Sequence, residues 1–462
     1  MSRESSTGTE TAVSPAESRF GWLFDPALLA VAGASVVVVF VGGMVQVSHG
    51  SYSMAYVEAW RAVFSGDVLF DPAAWQSFLL GTEMPEVSTE SLVVWRIRLP
   101  RVVVAVFVGM NLAISGAIFQ AVTRNELASP FILGVSSGAG LTILLTLVVL
   151  PGVALGIPLL VPTLSLSAGG VLSAALTLGV VVGIAGSWLV AYRRETKQAL
   201  VGAAGLTVAV VAGVGLLAAT GTAGPLPFAP IRLIVSLSAL LPLLAALGGI
   251  TAFLIVYTIA WKNGTSPVRL VLAGVIVSTI FTSLQTSLFF FADNVGVVQS
   301  AVAWTNGSLT GADWEQVRIV LPWSILAVGL ALAGARQLNV LLLGEQTAKS
   351  LGMSVERVRF GLASVAVLAA AASIAVAGIV SFVGLIVPHL VRNLVGNDYK
   401  KLMVGCLFVG PALMVVADVG ARLGMSLLVG SDVQVPVGIV TGLIGGPYFL
   451  YLMRRQENIG EI

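Results

Sequence analysis

The sequence predicts an all-α, polytopic membrane protein with about twelve transmembrane helices and both termini in the cytoplasm. Three observations carry this expectation. Of 462 residues, 57% are hydrophobic and only 10% charged, and the mean hydropathy is +0.98, so the chain lacks the polar surface that a soluble protein of this size turns to water. Twelve stretches approach the roughly 20 apolar residues needed to cross a bilayer. Lys and Arg are also divided unequally between the loops on the two sides.

Residues 1–26 are rich in Ser, Thr, Glu and Pro and have no short apolar core of a signal peptide, which predicts a disordered cytoplasmic tail. The rest, 27–462, reads as one transmembrane domain. Its expected spans are 27–47, 102–122, 131–150, 168–191, 199–219, 238–261, 270–291, 318–335, 360–377, 379–396, 402–423 and 435–453. The tenth is short, carries Pro388 and follows the ninth after only Gly378, which suggests a broken helix buried among its neighbours. With the termini inside, 17 of the 24 basic residues fall on the cytoplasmic side and seven outside. The inside set is spread over every inside loop, so no single loop dictates the orientation.

The outside exceptions include Arg96, Arg98 and Arg101 at the mouth of the second span and Arg422 at the outer end of the eleventh. They read either as anchors at the lipid headgroups or as a docking surface for an acidic partner. The acidic outer stretch Glu83, Glu86 and Glu90 reads as a solvated loop.

Missing chemistry narrows the function. The only carboxylate within an expected span is Asp418, whereas an ion-coupled carrier usually keeps carboxylates near the midplane. Polar groups within spans are otherwise uncharged, among them Asn111, Gln120, Ser136, Ser137, Thr282, Ser283, Gln285 and Thr286. These either bond helix to helix or line a pathway. One cysteine, Cys406, and two distant histidines, His49 and His389, exclude a cluster of Cys and His metal ligands. No basic run suggests nucleic acid, and no catalytic constellation is present.

Gly344-Glu345-Gln346-Thr347-Ala348-Lys349-Ser350 has Ala where a phosphate-binding loop needs Gly before the Lys. Any ATP hydrolysis must therefore come from a separate subunit. The same segment lies in the longest inside connection, 336–359, where Gly344 and Gly352 bracket an amphipathic stretch. That predicts a short helix on the cytoplasmic face, a natural contact for a soluble motor.

Several ordered motifs carry a family resemblance. Arg98-Leu99-Pro100-Arg101 is followed by Leu112 to Ala117 with Gln120, then Asn125 to Pro130 and Leu133 to Gly140. Leu272 to Val275, Trp304 to Leu309, Leu343-Gly344-Glu345 with Ala348 and Leu351-Gly352, Phe382 to His389 and Pro436 to Gly442 continue the series. Over about 96–150 and 238–455 the chain resembles the permease subunits of ATP-binding-cassette importers for vitamin B12, ferric siderophores and haem (the FecCD type).

The resemblance implies a homodimer with a pathway along its axis, two ATP-binding subunits below and an extracytoplasmic substrate-binding protein above. No cofactor is expected in this chain, since ATP and Mg would bind the partner subunits. It assigns Leu343, Gly344, Glu345, Lys349, Leu351 and Gly352 to ATPase coupling, and Arg98, Arg101 and Arg422 to docking of the binding protein. The family's cytoplasmic gate corresponds to about 264–269, here with Thr265 and Ser266 before Pro267 and Val268. Thr282, Ser283, Thr286, Ser136 and Ser137 are candidates for the pathway lining. Cobalamin ranks first as cargo because the three arginines match the B12 member, with a ferric siderophore or haem as alternatives. The family pattern has ten spans, so 151–237, with two extra spans, reads as a lineage-specific insertion.

Overall fold

The computed structural model describes residues 21–50, 52, 54–82, 84–149, 155–159, 231–235, 237–262, 264–290, 295–429 and 434–457. The described residues begin ahead of the first span. Residues 21–25, read from sequence as part of the tail, form a short 3-10 turn and the cap of α1 (Pro26–Ser48), where the Asp25 carboxylate accepts from the amides of Ala27 and Leu28. Lys401 also reaches Asp25, tying this helix start to a distant element.

Four short helices follow, α2 (Tyr56–Val63), α3 (Gly66–Leu69), α4 (Pro72–Leu80) and α5 (Thr89–Leu92). A π-helical turn, Val93–Arg98, joins α5 without a break to α6 (Leu99–Thr123). The second span therefore starts well before residue 102. These short helices are held by aromatic packing: the Phe78 ring stacks on Trp95 and Trp314 with centroids 5.5 and 4.6 Å apart. Indole N–H groups of Trp95 and Trp314 donate to the carbonyls of Ala62 and Trp95 at 2.9 and 2.6 Å.

After α7 (Val135–Val149) come β1 (Leu155–Leu159) and β2 (Ile231–Val235), which pair antiparallel with Leu155 opposite Val235. This short pair joins the two ends of the expected insertion; the spans expected at 168–191 and 199–219 lie outside the described residues. The chain continues through α8 (Leu237–Ala260), α9 (Pro267–Phe289), α10 (Val295–Thr305), α11 (Trp314–Leu342), α12 (Glu345–Ser350), α13 (Val355–Ala377), α14 (Val383–Val395), α15 (Tyr399–Val429) and α16 (Val437–Glu457). Among the described residues, seven helices are long and apolar enough to cross a membrane, and three shorter apolar helices occupy other expected spans. Sequence left 292–317 as a connection, but it contains α10. The tenth span is a 13-residue helix, entered through Phe382 in the left-handed region (φ 65°).

Helix α6 is the hub, and nearly every residue from Val108 onward is buried. Two glycine contacts explain how its neighbours come so close. A Cβ at Gly109 would stand 2.3 Å from the carbonyl oxygen of Gly410 in α15, and one at Gly116 would stand 1.7 Å from that of Gly384 in α14. With lipid as solvent, such contacts supply the dispersion that holds helices together. Side-chain hydrogen bonds add to it: Asn111 donates to Ser324 at 2.8 Å, Ser115 to the carbonyl of Ala366 at 2.6 Å and Gln285 to that of Ser137 at 2.8 Å.

Candidate functional site

Gly344, in a left-handed conformation (φ 108°), turns the chain out of α11 and into α12. Only Ala348 of this helix is buried. Gln346, Thr347 and Lys349 are exposed, and Leu343 and Leu351, flanking the helix, are 61% and 64% exposed. Gly352 (φ 82°) ends the segment. The predicted short amphipathic helix is thus present between residues 336 and 359.

Glu345 does not point freely outward. Its Oε1 accepts from Arg359 Nη2 at 2.5 Å, and Arg359 is only 2% exposed. The other arm of that guanidinium donates to Glu356 at 3.0 Å, the Thr265 carbonyl at 2.7 Å and the Thr265 hydroxyl at 3.1 Å. Glu356 in turn accepts from the Thr265 amide at 3.0 Å and hydroxyl at 2.6 Å. The two residues singled out as a gate, Thr265 and Ser266, therefore sit beside the expected coupling helix. Ser266 caps α9, its hydroxyl accepting from the Arg269 amide at 3.2 Å, and Pro267 takes the first helical position. Sequence reasoning missed Arg359 and Glu356. The only signal for them was charge at the start of a span, which says nothing about a partner 94 residues away.

The arginines assigned to docking make internal bonds. Arg98 is 4% exposed, donating to the carbonyls of Val47, at 2.6 Å, and Tyr52. Arg101, 6% exposed, makes a bidentate pair with Asp418, both bonds 2.8 Å, and donates to Gln434 at 2.8 Å. Asp418 is fully buried and also accepts from Gln46 at 2.6 Å. Two of the three residues assigned to docking are thus committed to internal acceptors, because burial of a guanidinium requires that its donors be filled from within. Arg422 is half-buried and donates to the Gln46 carbonyl at 2.9 Å, while Arg96 is exposed. All four arginines, with Thr310 and Asp313, line a cavity of about 740 Å³.

The pathway candidates separate into two sets. Ser136 and Ser137 are 3% and 9% exposed, packed where α7 meets α8 and α9, so they have no open surface to line. Thr282, Ser283 and Thr286 are exposed on α9 beside Leu272, Val275, Ile276, Ile280 and Leu284. Thr286 returns its hydroxyl proton to the Thr282 carbonyl at 3.0 Å. Among the described residues, no group of three or more His, Cys, Asp or Glu could hold a metal ion.

Comparison with known proteins places this arrangement. The model of the FecCD transport family matches residues 38–221 and 199–455. The Fe(3+)-citrate import system permease protein YfmD of Bacillus subtilis is 32% identical over 372 residues, 80% of this chain and 84% of that protein. The cobalamin import system permease protein BtuC of Halobacterium salinarum is 33% identical over 370 residues, 80% of this chain and 75% of that protein. A solved metal-chelate type ABC transporter in an inward-facing conformation has a TM-score of 0.60 at 24% identity, over 92% of this chain and 99% of that one, which supports the fold. The chain belongs to the FecCD transport family and is a multi-pass permease subunit of an ATP-binding-cassette importer of the cell membrane.

Proposed function

We propose that two copies of this chain form a homodimer with the translocation pathway on their shared axis. Two ATP-binding subunits engage α12 from the cytoplasm, an extracytoplasmic binding protein delivers the cargo, and the cargo is cobalamin. The observation that carries this reading is α12, a short helix with Leu343 and Leu351 exposed at its two ends beside Lys349 and Gln346. Apolar side chains exposed among polar ones, on a segment too short to enter the bilayer, fit a surface that a soluble subunit covers.

Dimer formation is supported by α9, whose exposed apolar side also carries Thr282, Ser283 and Thr286. Hydroxyls beside a seam of apolar side chains suit a face shared between the other protomer and a polar pathway. Docking of the binding protein is supported by the arginine-lined outer cavity, where Arg96 and Arg422 supply the accessible charge and Arg98 and Arg101 hold the frame. Complementary charge there would orient the encounter and speed it. Alternating access then requires ATP binding and hydrolysis in the partner subunits to move α12, with the gate at Thr265 and Ser266 responding.

The cobalamin reading is supported by the Halobacterium salinarum relative and by the motif resemblance to the B12 member. A ferric chelate is the second reading, favoured by the Bacillus subtilis iron-citrate relative of nearly equal identity. Uptake of labelled cobalamin and of labelled ferric siderophore, in cells with and without the gene and limited for each nutrient, separates them. Loss of cobalamin uptake alone is the expected result. Loss of iron uptake alone moves the chain to the ferric-chelate reading and leaves the coupling scheme intact.

A further inference from the structure

Segments distant in sequence meet at one guanidinium, which is itself buried while its two carboxylate partners are about a third exposed. Glu345, the first residue of α12, is bound by Nη2 of Arg359; Glu356 and both oxygens of Thr265 are bound by Nη1. Thr265 belongs to the tight α8–α9 loop, where Trp261 bridges Thr265 and Gly264 takes φ 113°. Arg269 closes that loop from the α9 side, donating to the Gly264 carbonyl at 2.8 Å. A Cβ at Gly264 would lie 3.2 Å from Glu356 Oε1, so this loop and the start of α13 fit without slack.

We infer that Arg359 is the positioning residue that passes displacement of α12 to the N-terminus of α9, so that the coupling helix and the gate loop move as one body. The inference rests on α12 being the ATPase contact, as proposed above. Sliding α12 past the loop would strip Nη2 of a buried guanidinium of its one acceptor, Glu345, which is costly, whereas moving all parts together costs nothing in hydrogen bonds. Helix α12 has little else to hold it to the bundle, since Ala348 is its only buried side chain. Only Ser266 separates Thr265 from Pro267 at the first turn of α9, so a pull on Thr265 enters a stiff rod directly. Thr282 lies about 22 Å up that rod at 1.5 Å per residue, which carries the displacement to the exposed hydroxyl face.

The choice of arginine follows from the same geometry. One planar fork satisfies Glu345 on one side and Thr265 with Glu356 on the other, while a lysine is a point charge that cannot hold both. Arg359 Nε has no acceptor among the described residues, leaving one donor in hand if the loop is rearranged during the cycle.

The test uses the full transporter with its ATPase subunits and binding protein in liposomes. Spin labels go on Ser350→Cys in α12 and Val268→Cys in α9 for the distance alone, with transport per ATP read on unlabelled protein; both sites are exposed, and the native Cys406 is fully buried. The wild-type background should keep one label-to-label distance through the ATP cycle. Arg359→Lys should broaden or shift that distance on ATP addition and lower cargo transported per ATP about tenfold, while hydrolysis persists. An unshifted distance with normal transport per ATP overturns the inference. So does a proportional fall of transport and hydrolysis, which would make Arg359 a mere support for the ATPase contact. Should Arg359→Lys not fold, Thr265→Val removes the hydroxyl bonds at nearly constant volume; it is expected to lower transport per ATP in the same sense, and unchanged coupling there overturns the inference. A wild-type complex with no ATP-dependent transport at all would instead overturn the proposed function.

Discussion

Asp418 is the carboxylate that the sequence singles out within a span, and its partner is 317 residues away in Arg101. Sequence showed that the residue was unusual but could not name what pays for its burial, because the pairing exists only once α6 and α15 pack. The same packing buries Arg98 and Arg101, which the sequence reading offered for docking: a position near the end of a span does not say whether the side chain faces out or in. Removing one member of the pair is predicted to be far worse than removing both. Asp418→Ala should cost about 3–5 kcal/mol, whereas Arg101→Met with Asp418→Leu should recover most of that loss. Thermal unfolding of the purified permease in detergent reads the difference, and equal losses in single and double variants would count against a buried pair. The proposed docking then rests on the accessible charges. Arg96→Glu with Arg422→Glu should weaken attachment of the binding protein most at low ionic strength, and a loss unaffected by salt would point to misfolding.

At the scale of elements, the apolar spans were legible because lipid demands one long run of apolar residues per crossing. What escaped sequence reading was the structure in water and at interfaces. Helices α2–α5 have no counterpart in the sequence reading, which singled out only Glu83, Glu86 and Glu90 there as a solvated loop; Trp75 and Phe78 of α4 pack against Trp95 and Trp314. Short helices bury a few aromatics rather than a periodic stripe, so no strong pattern announces them. Close helix contacts were suggested by the abundance of glycine, but which glycines meet is a matter of register between helices. Gly116→Val forces a branched side chain into the Gly384 backbone. It is expected to destabilise the fold by about 1–3 kcal/mol or more, visible as a lowered unfolding temperature, while Gly442→Ala, with open space around it, serves as the tolerated control.

For the whole molecule, ten of the twelve expected spans correspond to described helices, and the other two fall in 151–237 outside the described residues. The expected coupling segment was legible as a motif and appears as α12; its tether through Arg359 to Thr265 was not, since it depends on three elements closing on each other. Dimer formation belongs to this scale as well. With Cys406 buried, a single Thr286→Cys substitution on α9 gives a clean probe. Oxidation in membranes should yield a disulfide-linked dimer if α9 lines a shared axis, and a monomer band alone would argue for a different assembly face.

The central claim, that this permease is driven through α12 by a separate ATPase, is tested most directly by ATP-dependent uptake of labelled cobalamin into proteoliposomes holding the permease, ATPase subunits and binding protein, compared with the Leu343→Glu and Leu351→Glu double variant. The account predicts accumulation that requires ATP and the ATPase subunits, and its loss in the variant despite normal membrane insertion. Accumulation of the same cargo without ATPase subunits, driven by an ion gradient and indifferent to the two leucines, would contradict it.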